Sequence, residues 1–220
     1  MKPNHIAVII DGNRRWAKKH GLKPWKGHKK GAENLKNFLK WCLEEDIKEV
    51  SVYVLSTENL NRSKEELDKL FELFKKFFSE YFNKDSFVDK NEVKVRFAGD
   101  FSKLPKDIIE IMNKVMKKTE KYNKKILNVL IAYGGRYDIV QAAKKCKNFS
   151  EKELEKNLLV SEPVDLVIRT GGYNRLSNLM LWQCAYAELY FTKKLWPDFR
   201  KKDFIKALKW FKNIKRNFGK

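Results

Sequence analysis

Short, almost wholly apolar stretches alternate with long amphipathic ones along this chain, and that alternation limits its fold more than any other feature. His5 to Ile10, Val50 to Leu55, Val93 to Ala98, Leu127 to Tyr133, Leu166 to Arg169 and Glu188 to Phe191 read as strands. A strand that is apolar nearly throughout needs cover on both faces, and the stretches between are long enough for helical crossovers. The expectation is an α/β fold, a mainly parallel six-stranded sheet flanked by helices.

The clearest helix begins at Ser63, which can cap it while Glu66 completes a capping box. Leu67, Leu70, Phe71, Phe74, Phe77, Phe78 and Tyr81 then recur at spacings of three and four and form one stripe. Such a stripe is core in most helices; so many phenylalanines on one face would also suit the wall of a tunnel for a hydrocarbon chain. Pro105 opens a helix through Tyr122, Gly134-Gly135 marks a strand-to-helix turn, and a basic helix spans about residues 201 to 218.

With 220 residues, 43% hydrophobic and 35% charged, residues 1–220 are expected to form one folded domain. Apolar runs such as Ile6 to Ile10 fall far short of the roughly 20 residues a bilayer span needs, and no signal region precedes the first strand. A cytoplasmic location is expected. Cys42, Cys146 and Cys184 are odd in number and widely spaced, which suits reduced thiols better than a zinc site or a disulfide framework. The formal charge of +20 would attract nucleic acid, anionic lipid or a polyphosphate, and does not choose among them.

In a parallel sheet, ligands gather at the carboxyl ends of the strands. The first strand ends in Asp11-Gly12-Asn13-Arg14-Arg15-Trp16, followed by a basic stretch to Gly27-His28. Arginines and backbone donors suit phosphate oxygens, and the Asp11 carboxylate can hold a hard divalent cation. After the second strand comes the polar cluster Ser56, Thr57, Glu58, Asn59, Leu60, Asn61 and Arg62, part of it a helix-entry turn. The fifth ends in Arg169-Thr170-Gly171-Gly172, then Asn174, Arg175, Leu176 and Ser177, which reads as a second anion pocket or as a strand end paired with a surface acid.

These blocks, together with the run from Asp165 to Phe199, resemble the signature blocks of the cis-prenyltransferases, the undecaprenyl and dehydrodolichyl diphosphate synthases. The resemblance covers essentially the whole chain, and the Arg14-Arg15 pair is more like the archaeal and eukaryotic members. It implies a magnesium-dependent transferase of prenyl groups, in class EC 2.5.1, with an apolar tunnel beside the sheet. Such an enzyme condenses isopentenyl diphosphate with an allylic prenyl diphosphate into a longer (Z)-polyprenyl diphosphate for lipid-carrier synthesis, as a homodimer or a related assembly. In that family the residue matching Asp11 holds Mg2+ on the allylic diphosphate, and those matching Gly12, Asn13, Arg14, Arg15, Trp16 and His28 bind that substrate. Those matching Arg169, Arg175 and Ser177 hold isopentenyl diphosphate, with Leu176 between them, and the residue matching Glu188 adds a metal ligand. The residue matching Asn59 is assigned a part in proton removal, and Ser56 and Arg62, with Thr57 and Glu58 in the same cluster, help to position substrate. A neutral amide accepts protons poorly, so Asn59 is better suited to holding a water or a diphosphate oxygen.

Three positions depart from the pattern: Pro24 replaces an arginine, for which Lys23 or Lys26 could substitute; Leu60 replaces an aromatic; and Tyr173 stands where many relatives carry an acid. Near the end, Arg216 to Gly219 resembles a basic tail that reaches across a dimer, and equally a basic helix end. Two other readings stay open. One is a nucleic-acid-binding protein, against which stands the absence of a recognisable RNA or DNA module. The other is a subunit of a heteromeric prenyltransferase, against which stand Asp11, Arg169 and Arg175. The excess charge also suggests peripheral contact with an anionic membrane.

Overall fold

The computed structural model of the protein describes residues 2–81, 86–148 and 150–215. Its strands are β1 (His5–Ile9), β2 (Glu49–Ser56), β3 (Val93–Ala98), β4 (Lys125–Tyr133), β5 (Leu166–Arg169) and β6 (Glu188–Phe191). They form one sheet in the order β3-β4-β2-β1-β5-β6, and every pairing is parallel, so the mainly parallel sheet expected from the sequence is wholly so. The helices are α1 (Asn13–Lys19), α2 (Pro24–Glu44), α3 (Lys64–Tyr81), α4 (Phe87–Lys90), α5 (Lys106–Thr119), α6 (Gly135–Lys145), α7 (Glu151–Asn157) and α8 (Lys201–Lys212).

Alternate residues of each strand feed two cores, which is why the strands read as continuously apolar. Ile6 and Val8 of β1 join Val50, Val52, Leu127 and Val129 in a large core closed by Phe38 of α2, Phe74 of α3, Met112 of α5 and Phe204 of α8. Ala7 and Ile9 face the other way, into a smaller core with Tyr53, Leu130, Val160 and Leu179.

Three helix expectations need correction. The helix opened by Pro105 ends at Thr119 rather than Tyr122. Ser63 does cap α3, its hydroxyl accepting from the Glu66 amide at 3.3 Å. The Glu66 carboxylate, however, turns away from the cap toward three basic side chains, as described below. The last helix stops at Lys212, with Asn213 as its cap, rather than reaching residue 218. The Tyr81 side chain and the Arg216 to Gly219 tail lie outside the described residues. Cys42 and Cys184 are buried free thiols, and burial pushes Cys184 up to about 12, leaving it protonated and inert.

The strand order opens the site. After β1 the chain moves to β2 on one side, and after β5 to β6 on the other. Loops leaving in opposite directions create a crevice between the carboxyl ends of β1 and β5. Asp11 stands two residues past β1, and Arg169 closes β5.

Candidate active site

Asp11 is the hub of that crevice. Its carboxylate accepts from Arg15 Nη2 at 3.1 Å and from Arg169 Nη2 at 2.9 Å. Arg169 is almost fully buried, and its Nη1 donates both to Ser177 Oγ at 2.6 Å and to the Arg175 carbonyl. Arg15 Nη1 donates to the Gly171 carbonyl at 2.6 Å, and Thr170 Oγ1 to the Asp11 carbonyl at 2.7 Å, so the two strand ends are laced together. Gly171 has φ +88°, and a Cβ there would fall 2.5 Å from Arg15 Nη2 and 3.1 Å from Asp11 Cγ. Only glycine fits so close to the ion pair.

Three cavities meet beside Asp11. An open polar cleft of about 760 Å³ runs along Asp11, Gly12, Asn13, Arg14 and Arg15 to Pro24, His28 and Arg62. A smaller pocket of about 200 Å³ is bounded by Asp11, Ser56, Asn59, Arg62, Arg169 and Ser177. The third, about 70 Å³ and overwhelmingly apolar, lies between α2, α3 and the sheet, with Leu70, Leu73, Phe74, Phe77 and Phe78 on one wall. Ile10, Asn13 and His28 line all three. The α3 stripe thus serves both ends: Leu70, Phe74, Phe77 and Phe78 line the cavity and also belong to or pack on the large core, where Leu67 and Phe71 join them.

A second acid organises the cleft. Glu66 is 7% exposed, and its Oε1 lies 3.2 Å from His28 Nε2, 3.3 Å from Arg62 Nη1 and 3.6 Å from Arg14 Nε. Burial, then the Arg62 charge, holds His28 below the usual imidazole range, which keeps the ring neutral at the junction of polar cleft and apolar cavity. Burial likewise lowers Arg62.

Several sequence candidates stand elsewhere. The Trp16 indole donates to Asp198 Oδ1 at 2.9 Å and stacks on His20, away from the cavities. The Thr57 amide bonds to the Tyr133 carbonyl, Glu58 Oε1 accepts from Asn178 Nδ2 at 3.0 Å, and Leu176 packs on the smaller core; all three brace loops around the site. Arg175 is exposed, with its guanidinium 4.2 Å from the Tyr173 ring centre. Where Pro24 leaves a wall without arginine, Lys18 lines the cleft, while Lys23 lies over Trp25. Glu188 is not brought to Asp11. It pairs with Leu166 at the start of β5, whereas Ile9, two residues before Asp11, pairs with Arg169 at the end. That register separates them by at least about 10 Å along the strands and about 10 Å across, too far for both carboxylates of one chain to ligate one ion.

Two site residues escaped the sequence reading. Tyr53 lines the smaller pocket and its hydroxyl donates to the Ser177 carbonyl at 3.3 Å, yet in sequence it is one more residue of an apolar strand. Glu66 looked like a helix cap, and only the folded chain shows the cations around it.

Comparison with known proteins gives a consistent result. Residues 9–219 match the prenyltransferase family model described as undecaprenyl diphosphate synthase. A tritrans,polycis-undecaprenyl-diphosphate synthase (geranylgeranyl-diphosphate specific) of Pyrococcus horikoshii is 42% identical over 99% of this chain and 87% of its own. Dehydrodolichyl diphosphate synthase 2 of Arabidopsis thaliana is 40% identical over 100% of this chain and 74% of its own. The crystal structure of lavandulyl diphosphate synthase from Lavandula x intermedia, in complex with dimethylallyl diphosphate, superposes with a TM-score of 0.93 at 33% identity, covering 100% of this chain and 99% of the other.

Proposed function

This chain belongs to the undecaprenyl diphosphate synthase family, and we propose that its reaction takes place where the three cavities meet, beside Asp11. It is a cis-prenyltransferase, condensing isopentenyl diphosphate with an allylic prenyl diphosphate to give a longer polyprenyl diphosphate. The shared wall of Ile10, Asn13 and His28 carries the placement of substrates. An allylic diphosphate in the large cleft, its hydrocarbon tail in the apolar cavity and isopentenyl diphosphate in the Arg169–Ser177 pocket would bring the two reacting ends together at that wall.

The chain's residues then have distinct tasks. Arg14, Arg15 and Arg62 bind the allylic diphosphate and stabilise the charge that grows as its carbon–oxygen bond breaks. Arg169 and Ser177 orient the second diphosphate, and Asn59 with Ser56 holds a water or a diphosphate oxygen near the proton that must leave. Holding both substrates at one wall converts a bimolecular encounter into an oriented one. The donor set suits magnesium. Asp11 offers one hard carboxylate, 27% exposed, at the mouth of the cleft, and the described residues contain no group of three His, Cys, Asp or Glu that would form an all-protein cage. Mg2+ commonly takes one or two carboxylates and completes its shell with water and substrate phosphates. When bound it would neutralise charge developing on the leaving diphosphate.

Geranylgeranyl diphosphate is the proposed primer, because archaeal relatives about 40% identical carry that specificity in their names. The enzyme acts in lipid-carrier synthesis as a homodimer in the cytoplasm, touching anionic membrane through its basic surface; among the described residues no helix is long and apolar enough to cross a membrane. The test is to incubate the pure chain with magnesium, labelled isopentenyl diphosphate and C10, C15 or C20 allylic primers, then resolve products by length and double-bond geometry. New cis bonds, with the C20 primer used best, are expected; trans bonds or no elongation would refute the reading.

A further inference from the structure

The turn after β5 carries an aromatic side chain that the reaction just described does not use. Gly171 and Gly172 take φ +88° and +79°, and their amides bond to the Lys194 and Thr192 carbonyls at 2.6 and 2.9 Å, which pins the turn and projects Tyr173 over the site. Three guanidiniums gather on its ring. Arg175 lies 4.2 Å, Arg15 4.6 Å and Arg169 5.8 Å from the ring centre. Tyr173 itself is 42% exposed, so the ring is not held there by burial in the core.

Three arginines brought this close repel one another. Asp11 compensates two of them, Arg15 and Arg169, and does not bond to Arg175. A carboxylate at position 173 would neutralise the cluster, but an incoming diphosphate would then have to displace it. An aromatic face attracts guanidiniums through its quadrupole and brings no formal negative charge. The cations are thereby held in place with their full charge available to a ligand. Arg175 gains most, because an exposed arginine otherwise spreads over many rotamers.

We propose that Tyr173 is a positioning residue for isopentenyl diphosphate: its ring preorganises Arg175, two residues before Ser177, beside the Arg169–Ser177 pocket without competing for the anion, while Arg15 is already held by Asp11 and the Gly171 carbonyl. The proposal rests on the reading of that pocket as the isopentenyl diphosphate site. The ring, not the hydroxyl, does the work, so phenylalanine should replace tyrosine and alanine should not.

The experiment compares Tyr173→Ala and Tyr173→Phe in the full chain with magnesium, measuring kcat, KM for each substrate, and binding of inorganic diphosphate by calorimetry, with melting temperatures to verify folding. The close cation–π contact of Arg175, at exposed-site strength, corresponds to roughly a 2- to 5-fold change. Tyr173→Ala should raise KM for isopentenyl diphosphate and weaken diphosphate binding within that range, with kcat held within about twofold. Tyr173→Phe should restore both values. An unchanged KM in the alanine variant, a phenylalanine variant that behaves like alanine, or an equal rise in KM for the allylic primer would each overturn the proposal. Arg169→Ala separates the two levels. If it raises KM for isopentenyl diphosphate while Tyr173→Ala does not, only the role of Tyr173 falls; if Arg169→Ala leaves that KM unchanged, the pocket assignment falls and the proposal with it.

Discussion

Asp11→Ala should abolish turnover, and it should also destabilise the protein, because Asp11 is part of the ionic structure of the crevice. Among the described residues its carboxylate is the one anion bonded to Arg15, at 3.1 Å, and to Arg169, at 2.9 Å. Arg169 is 4% exposed and its Nε has no hydrogen-bond partner among the described residues, so solvent does little for its charge. Removing one member of a buried ion pair costs about 3–5 kcal/mol. Two features reduce that figure here: the Asp11 side chain is 27% exposed, and Arg169 keeps its bonds to Ser177 and the Arg175 carbonyl. About half, roughly 2 kcal/mol, remains. At roughly 2–4 °C per kcal/mol for a chain of this size, Tm should fall by about 4–8 °C. Calorimetric melts with increasing inorganic diphosphate check the cause, since a new anion beside Arg169 should narrow the gap to wild type. Adding Arg169→Met should recover most of the lost stability and none of the activity. An Asp11→Ala protein that melts at or above the wild-type temperature without diphosphate would refute the electrostatic argument, and near-normal product formation would refute the catalytic one.

At the opposite end of the sheet, burial lowers the pKa of His5 to about 4 and raises that of Glu49 to about 7. The His5 contribution to stability is complete above about pH 6.5 and is lost as pH falls toward 4, whereas that of Glu49 is complete below about pH 4.5 and is lost as pH rises through 7. The two slopes oppose each other in between, so Glu49→Gln should expose the His5 slope, a loss of about 1.4 kcal/mol per pH unit below pH 6.5. Urea unfolding of variant and wild type near pH 5 and pH 6.5 measures it, and equal slopes would rule it out. In the apolar cavity, Ala32→Phe adds a ring to a space of about 70 Å³, under half the roughly 150 Å³ of a cavity known to hold benzene. Elongation from the C20 primer should fall from the first condensation on and products should shorten; wild-type rate and product length would show that the tail does not occupy this cavity.

The sheet was legible because both faces of its strands are covered, which writes them as apolar runs whose ends differ from expectation by only a residue or two. The core of the site was legible for a related reason: Ser56 and Arg169 end their strands and Asp11 stands two residues past its own, and a parallel sheet brings those positions to one edge. Burial partners far apart in sequence were not legible. His28 and Glu66 are separated by 37 intervening positions and meet only because α2 packs on α3. Nor were the partners of Trp16 and Glu58, whose polar atoms face Asp198 and Asn178. At Glu188 the matching block does not reveal the register, which sets this carboxylate at the start of β6, away from Asp11 of the same chain.

The charges around the crevice explain why so cationic a site stays folded and why it favours polyanions. Among the described residues, Arg14, Arg15, Arg62 and Arg169 pair with two carboxylates, Asp11 and Glu66, and Arg175 with neither. The excess is tolerated because each guanidinium is bound to something: two share Asp11, two lie beside Glu66, and Arg175 rests on Tyr173. His28 adds no further charge near neutral pH, because burial and the neighbouring Arg62 favour its neutral form. That neutrality matters at its particular position. His28 borders the apolar cavity as well as both polar pockets, and a charged ring there would make the start of the hydrocarbon path costly to desolvate. One imidazole therefore lets a strongly cationic cleft open directly onto an apolar one, which is what a substrate with a diphosphate head and a prenyl tail requires.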